Sequence, residues 1–267
     1  MTTFNSFCRT LAVSALTALG AGVAQADASW DIVACTGGTK LAAGYTSCGG
    51  VGASGVTMNV TAYTSTGSTF SAASINDGGS YTGVWSGSEN SGTSSSTNSP
   101  NHAIDNYTSY GNAYEMVLLS FSKAVDISQL VATWANNTGG DADFQVYRWT
   151  AAAGPAMTSL SPSSMSSWVL ASAAGQDFKT GGLSQNISDG TYYSSYWLVS
   201  TAFGGSNDAF KLGTVYATGV CTNSTAPGTS CSPSQSGSVP EPVSLALFGV
   251  AVLGARVARR RQAPPLA

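Results

Sequence analysis

The chain has 267 residues, of which only 9% are charged, roughly a third of the usual share. This composition argues against a cytosolic enzyme and against a coiled coil, whereas the 43% hydrophobic content is enough for one folded domain. Between positions 27 and 240 there are five basic and twelve acidic residues, a net charge near −7 (5 − 12). A surface of this sign repels phosphate backbones, so we expect no nucleic-acid partner.

The first segment, residues 1–26, has the pattern of a secretory signal peptide. Arg9 precedes an apolar run over positions 11–23, and the small-x-small site Ala-Gln-Ala follows at 24–26. A basic start, a short apolar region and such a cleavage site together define a signal peptide. A buried helix is the alternative, but the run has no polar face. The segment therefore predicts export, with Asp27 as the first mature residue.

Residues 27–222 predict an all-β domain. Residues 56–63 alternate apolar side chains with Thr and Asn, a period of two that is typical of a half-buried strand. Turns rich in Gly, Asn, Asp and Ser separate further short apolar runs, and this pattern favours a two-sheet, jelly-roll-like β-sandwich. The predicted strands cover residues 56–63, 81–85, 114–121, 130–134, 143–149, 168–171, 192–200 and 209–220.

Four cysteines follow the predicted signal peptide, and an even number in an exported chain indicates disulfide bonds. Cys35 and Cys48 enclose a short Gly and Thr-rich loop, and Cys221 and Cys231 enclose another, which favours these two pairs among the three connectivities. A metal site is the alternative, but the chain has no Cys-x-x-Cys spacing and only one histidine.

The single histidine, His102, raises the question of catalysis. A hydrolase needs a nucleophile, a base and an orienting group that converge in space, and no Gly-x-Ser-x-Gly elbow occurs in the sequence. We therefore expect a protein that is not an enzyme, and we interpret His102 as a loop residue before the next strand. An exported hydrolase is the less favoured alternative.

Three aspartates, Asp105, Asp141 and Asp143, supply the carboxylates of a candidate structural calcium site. Hard oxygen ligands suit Ca²⁺, and carboxylates, asparagine side chains and backbone carbonyls all provide them. The alternative is ordinary turn chemistry, because an aspartate after the glycine pair 139–140 is what a turn uses. No other cofactor is expected.

The aromatic residues of the strands support a second hypothesis for function, a carbohydrate-binding module. Aromatic faces flanked by polar groups bind sugars, but half of the side chains on a strand point inward, and aromatic residues are favoured there for packing alone. The hypothesis concerns Trp134, Tyr147, Trp149, Tyr192, Tyr193, Tyr196 and Trp197.

The end of the sequence predicts a membrane anchor. Residues 223–238 are rich in Ser, Thr, Pro and Gly, which suits a flexible stalk. Residues 239–267 then contain an apolar stretch, 242–258, that is short for a membrane helix of about 20 residues. A basic cluster closes this stretch and is expected to stay on the cytoplasmic side by the positive-inside rule. Its members are Arg256, Arg259, Arg260 and Arg261.

The sequence Pro240-Glu241-Pro242, followed by the apolar stretch and the arginines, resembles the PEP-CTERM sorting signal of exosortase substrates in Gram-negative bacteria. The resemblance implies a transient inner-membrane anchor, which a membrane-embedded exosortase recognises and cuts near Pro-Glu-Pro. The body would then pass to the cell surface or the extracellular matrix. We expect a structural or adhesive role there, with exopolysaccharide of a biofilm matrix as a further partner.

A second, shorter resemblance lies within the body. Residues 102–106 read His-Ala-Ile-Asp-Asn and are similar to a segment of a subset of exosortase-dependent surface proteins. In that subset an acidic pair follows in a later strand, and Asp141 and Asp143 occupy the corresponding place here.

Overall fold

Strands make up nearly all of the regular structure in the computed structural model, which confirms the predicted all-β class. The structure describes residues 28–35, 44–52, 55–77, 81–86, 102–106, 114–136, 142–173, 175–178, 182–187 and 193–221. Within these ranges no helix has the length and apolar character needed to cross a membrane. The predicted signal peptide, stalk and C-terminal helix lie outside the described residues.

Fourteen strands and one 3-10 helix, Met157–Ser159, form the described elements. The strands are β1 (Ala28–Asp31), β2 (Gly44–Gly49), β3 (Thr57–Ser65), β4 (Ser71–Ala72), β5 (Ser74–Asp77), β6 (Thr82–Trp85), β7 (Ile104–Asp105), β8 (Tyr114–Ala135), β9 (Asp143–Trp149), β10 (Trp168–Leu170), β11 (Gln176–Asp177), β12 (Ser184–Asn186), β13 (Ser194–Thr201) and β14 (Ala209–Val220).

The longest strand, β8, organises the sheet. Its 22 residues cover two predicted strands, 114–121 and 130–134. The intervening residues contain neither Gly nor Pro to break the strand, and Val125 and Ile127 are buried there. The two predictions therefore merge into one element.

The two ends of β8 belong to different halves of the sheet, and all of the strand pairings are antiparallel. The first part of β8 pairs with β3 on one side and β13 on the other, giving the order β2-β3-β8-β13-β9-β10. The second part of β8 pairs with β12 and β14. β1, β6 and β7 then follow one another along the far side of β14, and β5 pairs with β6.

One core cluster lies between these two halves. Residues from β3, β8, β9 and β13 pack in the same cluster as residues from β1 and β14. Aromatic rings make the connection: the centroids of Trp30 and Phe121 lie 4.9 Å apart, and those of Phe144 and Phe210 lie 6.1 Å apart. The arrangement is therefore that of two β-layers packed face to face.

A second apolar cluster covers the outer face of the half that contains β3, β13 and β9. Val117 and Leu119 of β8 belong to the core, whereas Met116 and Leu118 belong to this second cluster. The division follows because successive side chains on a strand point to opposite faces. Residues 150–167 fold over part of the outer face, and the Phe70 N–H donates to the carbonyl of Leu160 over 2.8 Å.

A disulfide bond joins Cys35 and Cys48, so the first predicted pair is confirmed. Cys221 is also disulfide-bonded, and Cys231 lies outside the described residues.

Candidate functional site

A group of half-buried aromatic residues occupies the outer face of the sheet. We call Tyr63, Tyr114, Tyr147, Tyr196 and Phe203 the outer aromatic surface, since all five pack against the second apolar cluster while remaining partly exposed. The strands β3, β8, β9 and β13 contribute the tyrosines, and the loop after β13 contributes Phe203. The opposite face carries core residues such as Val117, Leu119 and Val199.

Phe203 is the centre of this surface. Its ring stacks on Tyr147 with centroids 5.8 Å apart and meets Tyr114 edge to face at 5.5 Å. It also stacks on the buried ring of Phe70 at 6.3 Å. Offset-stacked and edge-to-face pairs are the favourable geometries for aromatic rings, so these contacts hold the loop against the sheet.

Hydrogen bonds fix the same residues in place. The side-chain oxygen Oε1 of Gln145 accepts from the Tyr147 hydroxyl over 2.6 Å and from the Phe203 backbone N–H over 3.2 Å. The Tyr114 hydroxyl oxygen accepts from the backbone N–H of Gly204 over 3.1 Å. The surface is thus held by side-chain to backbone bonds as well as by ring packing.

The strand register sets the extent of the surface. Tyr63 lies opposite Met116, Met116 lies opposite Ser200, and Ser200 lies opposite Gln145, two residues from Tyr147. Tyr63 and Tyr147 are therefore separated by three interstrand spacings, or about 15 Å. Beyond Tyr147, its partner Leu170 on β10 is 40% exposed and extends the apolar area toward the edge of the sheet.

Burial also changes the acidity of two of the phenols. It raises the pKa of Tyr147 to about 12 and raises the pKa of Tyr63 above its usual value, because desolvation penalises the charged phenolate. At neutral pH both hydroxyls are consequently neutral groups that can donate a hydrogen bond.

The aromatic residues predicted from the sequence divide into two groups. Tyr147 and Tyr196 lie on the outer aromatic surface, whereas Trp149, Tyr193 and Trp197 are buried. The buried group follows the alternative interpretation, packing. Trp197 belongs to the core and Trp149 to the second apolar cluster, and Tyr193 packs with Ala124 and Cys221. Trp134 is half-buried beside Lys211, whose Nζ lies 5.2 Å from its ring centroid, and Tyr192 lies outside the described residues.

Three members of the surface were missed in the sequence: Tyr63, Tyr114 and Phe203. The alternation within residues 56–63 puts Tyr63 on the polar side of its strand, so an aromatic residue on a solvent face was the available signal. Tyr114 shares the face of Met116 by the same rule. Phe203 lies in a loop, where no periodicity marks its direction.

Buried polar residues lie next to the end of the loop 202–208, which we call the Phe203 loop. Asp105 pairs with Ala209, and the backbone N–H of Asp143 donates to Oδ1 of Asp208 over 3.3 Å. The structure therefore brings two of the three predicted calcium-binding aspartates to the neighbourhood of Asp208, which the sequence analysis did not select. Asp141 lies outside the described residues.

The calcium site stays a prediction. Within the described ranges, no group of three or more His, Cys, Asp and Glu side chains is arranged to hold a metal ion. The carboxylate of Asp208 accepts hydrogen bonds at both oxygens, from the Asp143 N–H and from Nδ2 of Asn106. Protein donors thus already bind this carboxylate.

His102 is half-buried and has a left-handed backbone conformation with φ of 59°. Its carbonyl oxygen lies so close to Gly83 that a Cβ atom on that glycine would be 1.7 Å away. His102 thus belongs to a tight crossing between its own segment and β6. The expectation that the protein is not an enzyme stays a prediction.

A family model, the PEP-CTERM protein-sorting motif, matches residues 238–262. This match confirms the resemblance and covers Pro240, Glu241, Pro242 and the four arginines, all of which lie outside the described residues. The motif indicates an exported protein that an exosortase processes after a transient membrane-anchored step. The chain matches no curated protein and no solved structure.

Proposed function

We propose that this protein is a non-enzymatic structural or adhesive component of the cell surface or the extracellular matrix. The observation that carries the proposal is the sorting motif at residues 238–262. The disulfide between Cys35 and Cys48 supports it, since disulfides persist in oxidising compartments outside the cytoplasm. Only 9% of the residues are charged, and this low content fits a structural protein better than an enzyme that uses charged catalytic groups.

The geometry of the β-domain suits adhesion. The chain leaves the described residues at Cys221, just after the end of β14, whereas the Phe203 loop precedes the start of the same strand. Twelve strand residues separate these two points, a length of roughly 35 Å. Cys221 and the Phe203 loop therefore lie at opposite ends of β14.

Substitutions in the processing signal test the proposal in the native host. We expect the double variant Pro240→Ala, Glu241→Ala to accumulate in the inner membrane because the exosortase no longer recognises it. The matched control Pro227→Ala, which changes a proline of the predicted stalk, should reach the surface like the wild type. If the double variant reached the surface in the wild-type amount, the proposed delivery would be wrong.

A second candidate function is carbohydrate binding, which the outer aromatic surface favours. Tyr147 and Tyr196 remain from the residues selected in the sequence, whereas Trp149 and Trp197 are excluded because they are buried. This function is compatible with an adhesive role, since binding to a matrix polymer is one way in which a surface protein adheres.

A further inference from the structure

We propose that the outer aromatic surface binds an uncharged polysaccharide chain. The proposal rests on the surface or matrix location proposed above, and it identifies the ligand class and the residues of the adhesive contact. The residues are Tyr63, Tyr114, Tyr147, Tyr196 and Phe203.

The outer aromatic surface keeps apolar area in contact with water. The large side chains of the core, such as Trp197 and Phe210, have no exposed area, whereas all five rings of the surface remain partly in water. Leu170, which is 40% exposed, lies opposite Tyr147 and continues the same face. Apolar side chains that are grouped on one face mark a binding surface more often than isolated ones do.

Aromatic rings and phenols together match the two kinds of group that a sugar presents. The face of an aromatic ring carries negative charge density, and the C–H bonds on one face of a pyranose ring present a positive edge to it. Sugar hydroxyls can then bond to phenols at the ring edges. We expect the phenol of Tyr63, which is half-buried on β3, to provide such a bond.

Charge selects an uncharged polymer over an acidic one. Arg148 follows Tyr147 directly, but strand alternation directs it to the opposite face, where its partner Trp197 is buried. The outer aromatic surface itself consists of Tyr and Phe and so contributes no cation. With a net charge near −7 (5 − 12) over positions 27–240, the domain repels a polyanion and has no counter-charge at this face.

Hydrogen bonds hold members of the outer aromatic surface in place before any ligand binds. Gln145 fixes both Tyr147 and the Phe203 backbone, and Gly204 fixes Tyr114. Rings that are already held in place lose little conformational entropy when a ligand binds, which favours affinity. Tyr63 and Tyr147 lie about 15 Å apart across the strands, a span that suits an extended chain and not a single sugar.

The test uses the processed protein purified from its host and affinity electrophoresis in gels that contain hydroxyethyl cellulose, soluble starch or alginate. We expect retardation by at least one of the two neutral polymers and none by alginate. In the double variant Tyr63→Ala, Tyr147→Ala, the apparent affinity should fall at least tenfold. The matched control is Tyr216→Ala, a half-buried tyrosine on β14 in the other half of the sheet, and its affinity should equal that of the wild type.

A second variant protects the test against misfolding. Tyr63→Phe keeps the ring and removes only the hydroxyl, so the melting temperature should change little while the affinity falls severalfold. Equal binding by the wild type and the alanine double variant would overturn the proposal. Retardation by alginate alone, or by none of the three polymers, would overturn it as well.

A second copy of the chain is the competing occupant of this face. If sedimentation showed a wild-type dimer and a monomeric Tyr63→Ala, Tyr147→Ala variant, the surface would be an interface between copies and the proposal would be wrong. A protein that reaches the surface but binds neither neutral polymer overturns this proposal alone. If the unprocessed full-length protein bound a neutral polymer but was not delivered to the surface, only the function proposed above would be overturned.

Discussion

Asn106 and Asp208 hold each other through two reciprocal hydrogen bonds. Nδ2 of Asn106 donates to Oδ2 of Asp208 over 2.5 Å, and the Asp208 backbone N–H donates to Oδ1 of Asn106 over 2.8 Å. The two residues are 102 positions apart, and both are buried. Nδ2 of Asn106 also donates to the carbonyl of Ala202, so this pair anchors both ends of the loop that carries Phe203.

Loss of the Asn106 side chain should destabilise the domain. Asn106→Ala removes all three of these bonds and leaves the buried Asp208 carboxylate with one donor fewer, which costs about 2–4 kcal/mol of unfolding free energy. Denaturant titration measures this loss. The control Asn186→Ala removes an exposed bond to Gln129 and should change stability by less than about 0.5 kcal/mol. Equal stabilities of the two variants would refute the anchoring role.

Gly83 should not tolerate a side chain. A Cβ atom there would lie 1.7 Å from the backbone oxygen of His102, so the two segments must separate in Gly83→Ala. We expect a loss of about 3 kcal/mol or more. Gly49→Ala is the matched control, because nothing lies within 4 Å of its added Cβ and the substitution should be neutral or slightly stabilising. A thermal melt of the two variants distinguishes these outcomes.

The disulfide between Cys35 and Cys48 closes a loop with a sequence separation of 13. Cross-linking a loop of this size restricts the unfolded chain and contributes about 3 kcal/mol. The double variant Cys35→Ala, Cys48→Ala should therefore melt about 5–10 °C below the oxidised wild type. Calorimetry without reductant provides the measurement, and an unchanged melting temperature would count against the stabilising role.

The raised pKa of Tyr147 predicts that the domain loses stability at high pH. Its pKa is about 12 in the folded protein and about 10 when unfolded, so below pH 10 both states keep the proton. Between these values the unfolded chain loses the proton first, and the free energy of unfolding falls as the pH rises. Tyr147→Phe should reduce this fall without abolishing it, because Tyr63 is shifted in the same direction. Denaturant titrations across this range would contradict the account if both proteins lost stability equally.

The strands with a clear period of two were predictable. Residues 56–63 correspond to β3 (Thr57–Ser65), and residues 209–220 correspond to β14 (Ala209–Val220). Strands of two or three residues, such as β7 (Ile104–Asp105) and β12 (Ser184–Asn186), are too short to show a period. They form strands because they pair with β14 and β8. These pairings join segments that are distant in the sequence, so a local pattern cannot predict them.

The candidate site was only partly predictable for the same reason. Alternation separates Tyr147, on the outer face, from its buried neighbour Val146, but it does not reveal how much of a face other segments cover. Trp149 shares the face of Tyr147 and is nevertheless buried, in the cluster covered by residues 150–167. The Asn106 and Asp208 pair joins residues that have no local relationship in the sequence.

The central claim is that an exosortase processes this protein on its way to the surface. The most direct test is the intact mass of the protein recovered from the outer surface of its own host, with the exosortase present and after its deletion. We predict a product that ends near Pro240 only when the enzyme is present. Full-length protein that retains residues 243–267 in both strains would contradict the account and would indicate a permanent membrane anchor.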